Sequence, residues 1–258
     1  MIGVYDSGVG GLSVWRELYK LMPEEGYIYV SDSAYCPYGT KPVEDIIARA
    51  DAITRFFLSK KVDVIVVACN TATAASIRYL RETFSIPFIG MEPAIKPAAL
   101  TSESGVVGVL ATANTFKGSL YNNTLEKFAA HVKVIERVGE GLVELVEAGK
   151  SEGEDVERLL HLYIDPMVEA GADAIVLGCT HYPFLTSAIA KIVGPSVKII
   201  NPAPAVALQT KRIIDAMPSH NSNRILEFYS SGDTSTLWKI ASFIEPDLSY
   251  SCIKKLCV

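Results

Sequence analysis

The chain has 258 residues, 49% of them hydrophobic and 21% charged, with a formal net charge of −5. This is the composition of a globular protein long enough to bury roughly three quarters of its unfolded surface, and it excludes a disordered chain. No window approaches the ~18 uninterrupted apolar residues of a membrane span, Lys and Arg are scattered rather than clustered as nucleic acid would require, and five unpaired-looking cysteines give neither a disulfide framework nor a zinc knuckle.

The first apolar run, 2–5, leads into Asp6-Ser7-Gly8-Val9-Gly10-Gly11 and then into an amphipathic stretch over 12–21. This glycine-rich turn is not a nucleotide loop. Ser13 occupies the last position of a GxGxxG pattern, the Gly-Lys-Ser/Thr ending of a P-loop is missing, and Asp6 would repel a phosphate. The turn either presents the Asp6 carboxylate and Ser7 hydroxyl to an ammonium group or a thiol, or it caps the helix that follows. The opening Met-Ile-Gly-Val-Tyr-Asp lacks an export pattern, so a cytoplasmic protein is expected.

A second strand over 27–30 runs into Asp32-Ser33-Ala34-Tyr35-Cys36-Pro37-Tyr38-Gly39-Thr40, which has turn chemistry throughout and is expected to rim the same crevice. Backbone N–H groups near Gly39 and the Tyr38 hydroxyl are candidates for a carboxylate; Cys36 reads as a bystander. After a helical stretch over 43–58, the run 62–68 ends in Cys69-Asn70-Thr71 and opens a helix over 71–84. Strands over 87–90, 106–110 and 132–135 and a helix over 115–128 follow. Glu147 lies near the end of an amphipathic segment, and a further helix is expected over 156–168. The run 174–177 then ends in Cys179-Thr180-His181-Tyr182-Pro183, before a helix over 184–193, a strand over 197–200, a helix over 205–217 and a strand over 225–229.

Such alternation means α/β architecture with mainly parallel sheets. Two Pro-bearing passages, 92–97 and 201–204, mark where the chain leaves one sheet and returns. The expectation is two doubly wound α/β domains, 1–92 plus 203–258 and 93–202, with the active site in the cleft between them.

Cys69 and Cys179 then fall in different domains, each where a strand gives way to a helix. A thiol at a helix N-terminus is expected to have its pKa lowered toward neutrality. One cysteine with a histidine would suit nucleophilic catalysis. Two matched thiols suit removal of a proton from one face of a carbon and return of another to the opposite face, and racemisation is the simplest reaction with that demand. His181, two residues from Cys179, can tune the thiol or hold substrate, whereas His131, His161 and His220 lack polar companions and read as surface groups.

Together these motifs, with Ser231-Gly232-Asp233, resemble those of the glutamate racemases within the aspartate/glutamate racemase superfamily, over essentially the whole chain. The resemblance implies a cofactor-independent, cytoplasmic and homodimeric enzyme that interconverts L- and D-glutamate and supplies the D-enantiomer for peptidoglycan. It implies no partner nucleic acid or membrane. By it, Cys69 takes the α-proton of D-glutamate and Cys179 that of L-glutamate, with Asp6 assisting the first thiol and Glu147 with His181 the second. Substrate contacts would come from Asp6, Ser7, Tyr38, Gly39, Asn70, Thr71, Thr180 and His181, with Thr112 and Asp32 carrying less weight. One departure is Ala111-Thr112-Ala113-Asn114-Thr115, where the family reads Gly-Thr-x-x-Thr. An aspartate racemase, a related isomerase or decarboxylase, and an idle amino-acid-binding protein are the competing readings.

Overall fold

A computed structural model describes residues 1–92, 94–129, 131–217 and 224–258. The first half of the chain runs β1 (Ile2–Asp6), α1 (Leu12–Leu21), β2 (Tyr27–Ser31), α2 (Val43–Ser59), β3 (Val64–Val67), α3 (Asn70–Thr83), β4 (Phe88–Gly90), α4 (Ile95–Thr101) and β5 (Val106–Ala111). It continues through α5 (Ala113–Lys117), α6 (Ser119–Phe128), β6 (Lys133–Val138), α7 (Leu142–Glu147), α8 (Glu154–Glu169) and β7 (Ala174–Gly178). The last elements are α9 (Thr186–Val193), β8 (Lys198–Ile200), α10 (Ala203–Asp215), β9 (Leu226–Ser230), α11 (Ser235–Ile244) and β10 (Ile253–Lys255).

The strands form two sheets. One has six strands in the order β10-β9-β2-β1-β3-β4, the other four in the order β6-β5-β7-β8, and every pairing is parallel. Helices cover both faces, so the central strands carry unbroken apolar runs: Val64-Ile65-Val66-Val67 is fully buried. In the six-stranded sheet the chain order reverses between β1 and β3, and in the four-stranded sheet between β5 and β7. Crevices outside the strand C-termini at such reversals are where α/β proteins hold ligands. Asp6 and Cys69 stand at the first, Thr112 and Cys179 at the second.

Several details differ from expectation for identifiable reasons. The helix expected over 115–128 is two, divided at Gly118, where a Cβ would lie 2.8 Å from the Ala74 methyl of α3. The passage 92–97 contributes to α4 despite Pro97, which falls in the first turn, where no intrahelical N–H bond is lost. α11 and β10 were not expected. Ser231-Gly232 serves the fold: Ser33 Oγ meets Ser230 Oγ at 2.7 Å and accepts the Gly232 N–H at 3.1 Å, while Ser231 Oγ accepts the Ala34 N–H at 3.1 Å. The motif thus pins the 32–34 turn to β9. His131 and His161 are exposed; His220 lies outside the described residues.

Gly11 is a position where close approach excludes a side chain. A Cβ there would lie 2.6 Å from Asp6 Cβ, 2.9 Å from Tyr29 Oη and 3.2 Å from Ala68 Cβ, all on packed strand ends. Gly11→Ala is expected to destabilise the protein by about 1–3 kcal/mol, the ordinary cost of overpacking, read as a lower urea midpoint at unchanged slope.

Candidate active site

The two reversal points open onto one cavity. Ser7, Tyr38, Gly39, Cys69, Asn70 and Thr71 line it from the six-stranded side, and Thr112, Val143, Cys179, Thr180 and His181 from the four-stranded side. About 10 Å³ is accessible to the centre of a water molecule, room for about one water. The walls meet around it. Thr71 Oγ1 and Thr112 Oγ1 are 2.9 Å apart, and the Asn114 amide donates to the carbonyls of Tyr38 at 3.2 Å and Lys41 at 3.0 Å.

Cys69 caps α3, its sulfur accepting the Ala72 N–H at 3.4 Å, and its thiol faces Ser7 Oγ at 3.7 Å. The helix terminus does not make it acidic. Burial, reinforced by the nearby Asp6 carboxylate, pushes Cys69 up to about 12, with the Ala72 N–H opposing. Cys179 differs from its counterpart because the residues after it form a 3-10 turn, Tyr182–Leu185, before α9 begins. Its neighbour is the imidazole: Cys179 Sγ lies 3.7 Å from His181 Nδ1.

The charged groups stand behind this first layer. Asp6 does not cap α1, whose N-cap is Gly11 without a side-chain bond. It accepts the Gly8 N–H at 3.0 Å on one oxygen and the Thr180 hydroxyl at 2.9 Å on the other. Full burial raises its pKa, against the pull of His181 and the two hydrogen bonds. Glu147 Oε1 accepts the Val9 N–H at 2.7 Å and pairs with His181 Nε2 at 2.6 Å. Burial works against ionisation of both partners, but the contact with His181 holds Glu147 below the usual carboxylate range. Bonds to Cys179, Cys36 and Glu147 hold His181 well above the usual imidazole range. Neither Asp6 nor Glu147 lines the cavity; each orients a residue that does.

The glycine-rich turn is what lets the second lobe come this close. A Cβ at Gly10 would lie 2.4 Å from His181 Nδ1 and 2.6 Å from Thr180 Oγ1, and one at Gly8 would lie 1.8 Å from Glu147 Oε1. Ala111, the departure from the family pattern, sits opposite Gly178 in the sheet register. A Cβ at Gly178 would lie 2.7 Å from the Ala111 methyl, so the missing glycine at 111 is matched by one on the facing strand.

The turn after β2 differs in one contact from what the sequence suggested. The Tyr38 hydroxyl is engaged by Asp32, donating to it at 2.5 Å, while Arg49 clamps both Asp32 oxygens at 2.9 and 2.8 Å. Tyr38 therefore offers the cavity its ring and backbone, and Asp32 supports it from beneath. Cys36, read from the sequence as a bystander, lies beside His181 and Glu147, and burial pushes its thiol up to about 11. Its position immediately before Pro37-Tyr38-Gly39 was the available signal. Asn70 stands out because both polar atoms of its buried amide lack a hydrogen-bond partner, although it lines the cavity. Such orphaned groups cost about 1–3 kcal/mol unless something pairs with them.

Comparisons with known proteins agree with this geometry. A family model described as Asp/Glu/Hydantoin racemase matches residues 11–210. The glutamate racemase of Herpetosiphon aurantiacus is 46% identical over 247 residues, 95% of this chain and 97% of that one. Among solved structures, Escherichia coli glutamate racemase in complex with L-glutamate and the activator UDP-MurNAc-Ala is 30% identical, with a TM-score of 0.89 and coverage of 100% and 98%. That of Francisella tularensis in complex with D-glutamate is 28% identical, with a TM-score of 0.84 and coverage of 99% and 97%. With the family model matching residues 11–210 and the Herpetosiphon aurantiacus relative matching 95% of the chain, the chain belongs to the Asp/Glu/Hydantoin racemase family.

Proposed function

We propose that this protein interconverts L- and D-glutamate by two proton transfers at the α-carbon, one by Cys69 and one by Cys179. The observation that carries this reading is that the two thiols come from separate switch points yet line one cavity. Glutamate, rather than aspartate, is supported by relatives such as that of Herpetosiphon aurantiacus, at 46% identity over nearly the whole chain.

In the direction from L-glutamate, the Cys179 thiolate takes the α-proton and leaves the electron pair on the α-carbon and its carboxylate. The Cys69 thiol then delivers a proton to the opposite face. The reverse direction exchanges the two roles, and each turnover leaves the thiols with swapped protonation states. His181, held protonated by its bonds to Cys179, Cys36 and Glu147, faces the Cys179 sulfur through Nδ1 at 3.7 Å. Asp6, with its raised pKa, governs Cys69 through charge, since protonating Asp6 removes one of the influences that keep that thiol neutral. The Asn70 amide offers two N–H donors and a carbonyl acceptor to the polar groups of an amino acid. A cavity that holds about one water must part for the substrate to enter, and we place the moving boundary between residues 1–92 plus 203–258 and residues 93–202. The resemblance extends the reading to supply of D-glutamate for peptidoglycan, in the cytoplasm and as a homodimer.

The deciding experiment is incubation of the purified protein with L-glutamate in deuterium oxide without added cofactor. Deuterium is expected at the α-carbon together with loss of optical rotation, whereas an idle binder would leave both unchanged. The pH dependence is a second check. With Cys69 at about 12 in the free protein, kcat/KM from D-glutamate, which reports free-enzyme ionisations, is expected to rise from about pH 7 to about pH 10. A plateau already reached near neutrality would rule out a buried Cys69 as the base.

A further inference from the structure

The proton-transfer reading leaves Cys36 without work. Yet Cys36 Sγ, a carboxylate oxygen of Glu147 and an imidazole nitrogen of His181 lie within 4.8 Å of one another, a cluster able to hold a metal ion among the described residues. The three come from different elements: the turn after β2, the end of α7 and the loop after β7. The backbone at Gly8 packs against them, with a Cβ there falling 3.1 Å from Cys36 Sγ and 1.8 Å from Glu147 Oε1.

We propose that Cys36, Glu147 and His181 form a binding site for a thiophilic divalent cation of the Zn²⁺ type, and that its occupancy arrests the thiol pair. The donor set is one sulfur, one nitrogen and one oxygen, which suits zinc; Mg²⁺ and Ca²⁺ seek oxygen alone. Ligand bonds of about 2.0–2.3 Å put tetrahedral donors roughly 3.3–3.6 Å apart, so these groups need to shift by about an ångström. The outer contacts that metal ligands require are already in place. His181 Nδ1 faces Cys179 Sγ at 3.7 Å while Nε2 points to Glu147, and the Val9 N–H holds Glu147 Oε1 at 2.7 Å. Cys36 and Glu147 are only partly buried, which gives the ion a way in.

Two consequences follow from occupancy. Ligation by His181 and Cys36 releases their ligand-atom protons to solvent, and the ion comes between His181 Nε2 and Glu147 Oε1, 2.6 Å apart without it, so the imidazole that faces Cys179 Sγ at 3.7 Å is drawn out of place. It also ties Cys36, on the six-stranded side, to Glu147 and His181 on the other, holding the cavity shut. The binding half of the proposal is independent of the racemase reading; the inhibitory half rests on it.

The test titrates the whole reduced protein with Co²⁺ and follows the near-ultraviolet thiolate-to-cobalt charge-transfer band. One equivalent is expected to saturate the band, Cys36→Ser to abolish it and Glu147→Gln to weaken it. A band of equal affinity in Cys36→Ser, or none in the unmodified protein, overturns the site. For the inhibitory half, Zn²⁺ is added to the glutamate assay, each protein referenced to its own metal-free rate. Half-inhibition of Cys36→Ser is expected to need at least about tenfold more Zn²⁺, with activity restored by a chelator. Equal sensitivity overturns it. Should the protein not act on glutamate at all, the cobalt spectrum still decides whether the cation binds.

Discussion

Replacing either Cys69 or Cys179 with alanine is expected to lower glutamate interconversion by about 10²–10⁴-fold, the usual contribution of a positioned acid or base, and to do so equally in both directions. The equality is not a matter of degree. L- and D-glutamate are mirror images of equal free energy in water, so their equilibrium constant is one and kcat/KM must fall by the same factor from either side. A thiol that acts as base in one direction acts as acid in the other, and its loss strikes both. Each cysteine is a small side chain at a strand end, so the variants should keep the far-ultraviolet circular dichroism of the parent. A double variant that still interconverts the enantiomers, or a single variant that keeps the parent's rate, contradicts the two-thiol reading.

Gly8→Ala is expected to reduce kcat by about 10²-fold with little change in thermal midpoint. The new methyl would fall 1.8 Å from Glu147 Oε1, and a carboxylate at the end of a flexible side chain can swing away cheaply. In doing so it abandons both the Val9 N–H and His181 Nε2. The imidazole then loses the carboxylate that orients it, and Cys179 loses a fixed neighbour. Displacements of about an ångström around a catalytic group are enough for losses of this size. A fall in stability with activity retained would show that the glycine serves packing alone.

Much of this could be read from the chain because strand-to-helix junctions are local. Apolar runs ending in Cys69-Asn70 and Cys179-Thr180-His181 announce both their secondary structure and the place of the thiols just beyond the C-terminal ends of buried strands. The acidity of Cys69 was misjudged because a helix terminus is visible in sequence whereas burial at 5% exposure beside Asp6 is not. The Tyr38 hydroxyl was assigned to substrate because nothing local reveals that Asp32 and Arg49 fold beneath it. Cys36 was dismissed by its lack of a helix, although what gives it neighbours is Glu147, more than a hundred residues away. α11, with Leu237 and Ala241 as its buried residues, announced itself too faintly in the sequence to be read.

The Asp6–Thr180 and Val9–Glu147 hydrogen bonds both join the six-stranded half to the four-stranded half. On the proposed mechanism, proton transfer therefore requires both of these bonds to be in place. A bulkier amino acid wedged between them would be held, yet the sulfurs on either side of it would lack their tuned surroundings. On the proposed mechanism, selection by size would then act as an assembly check on the two halves of the site.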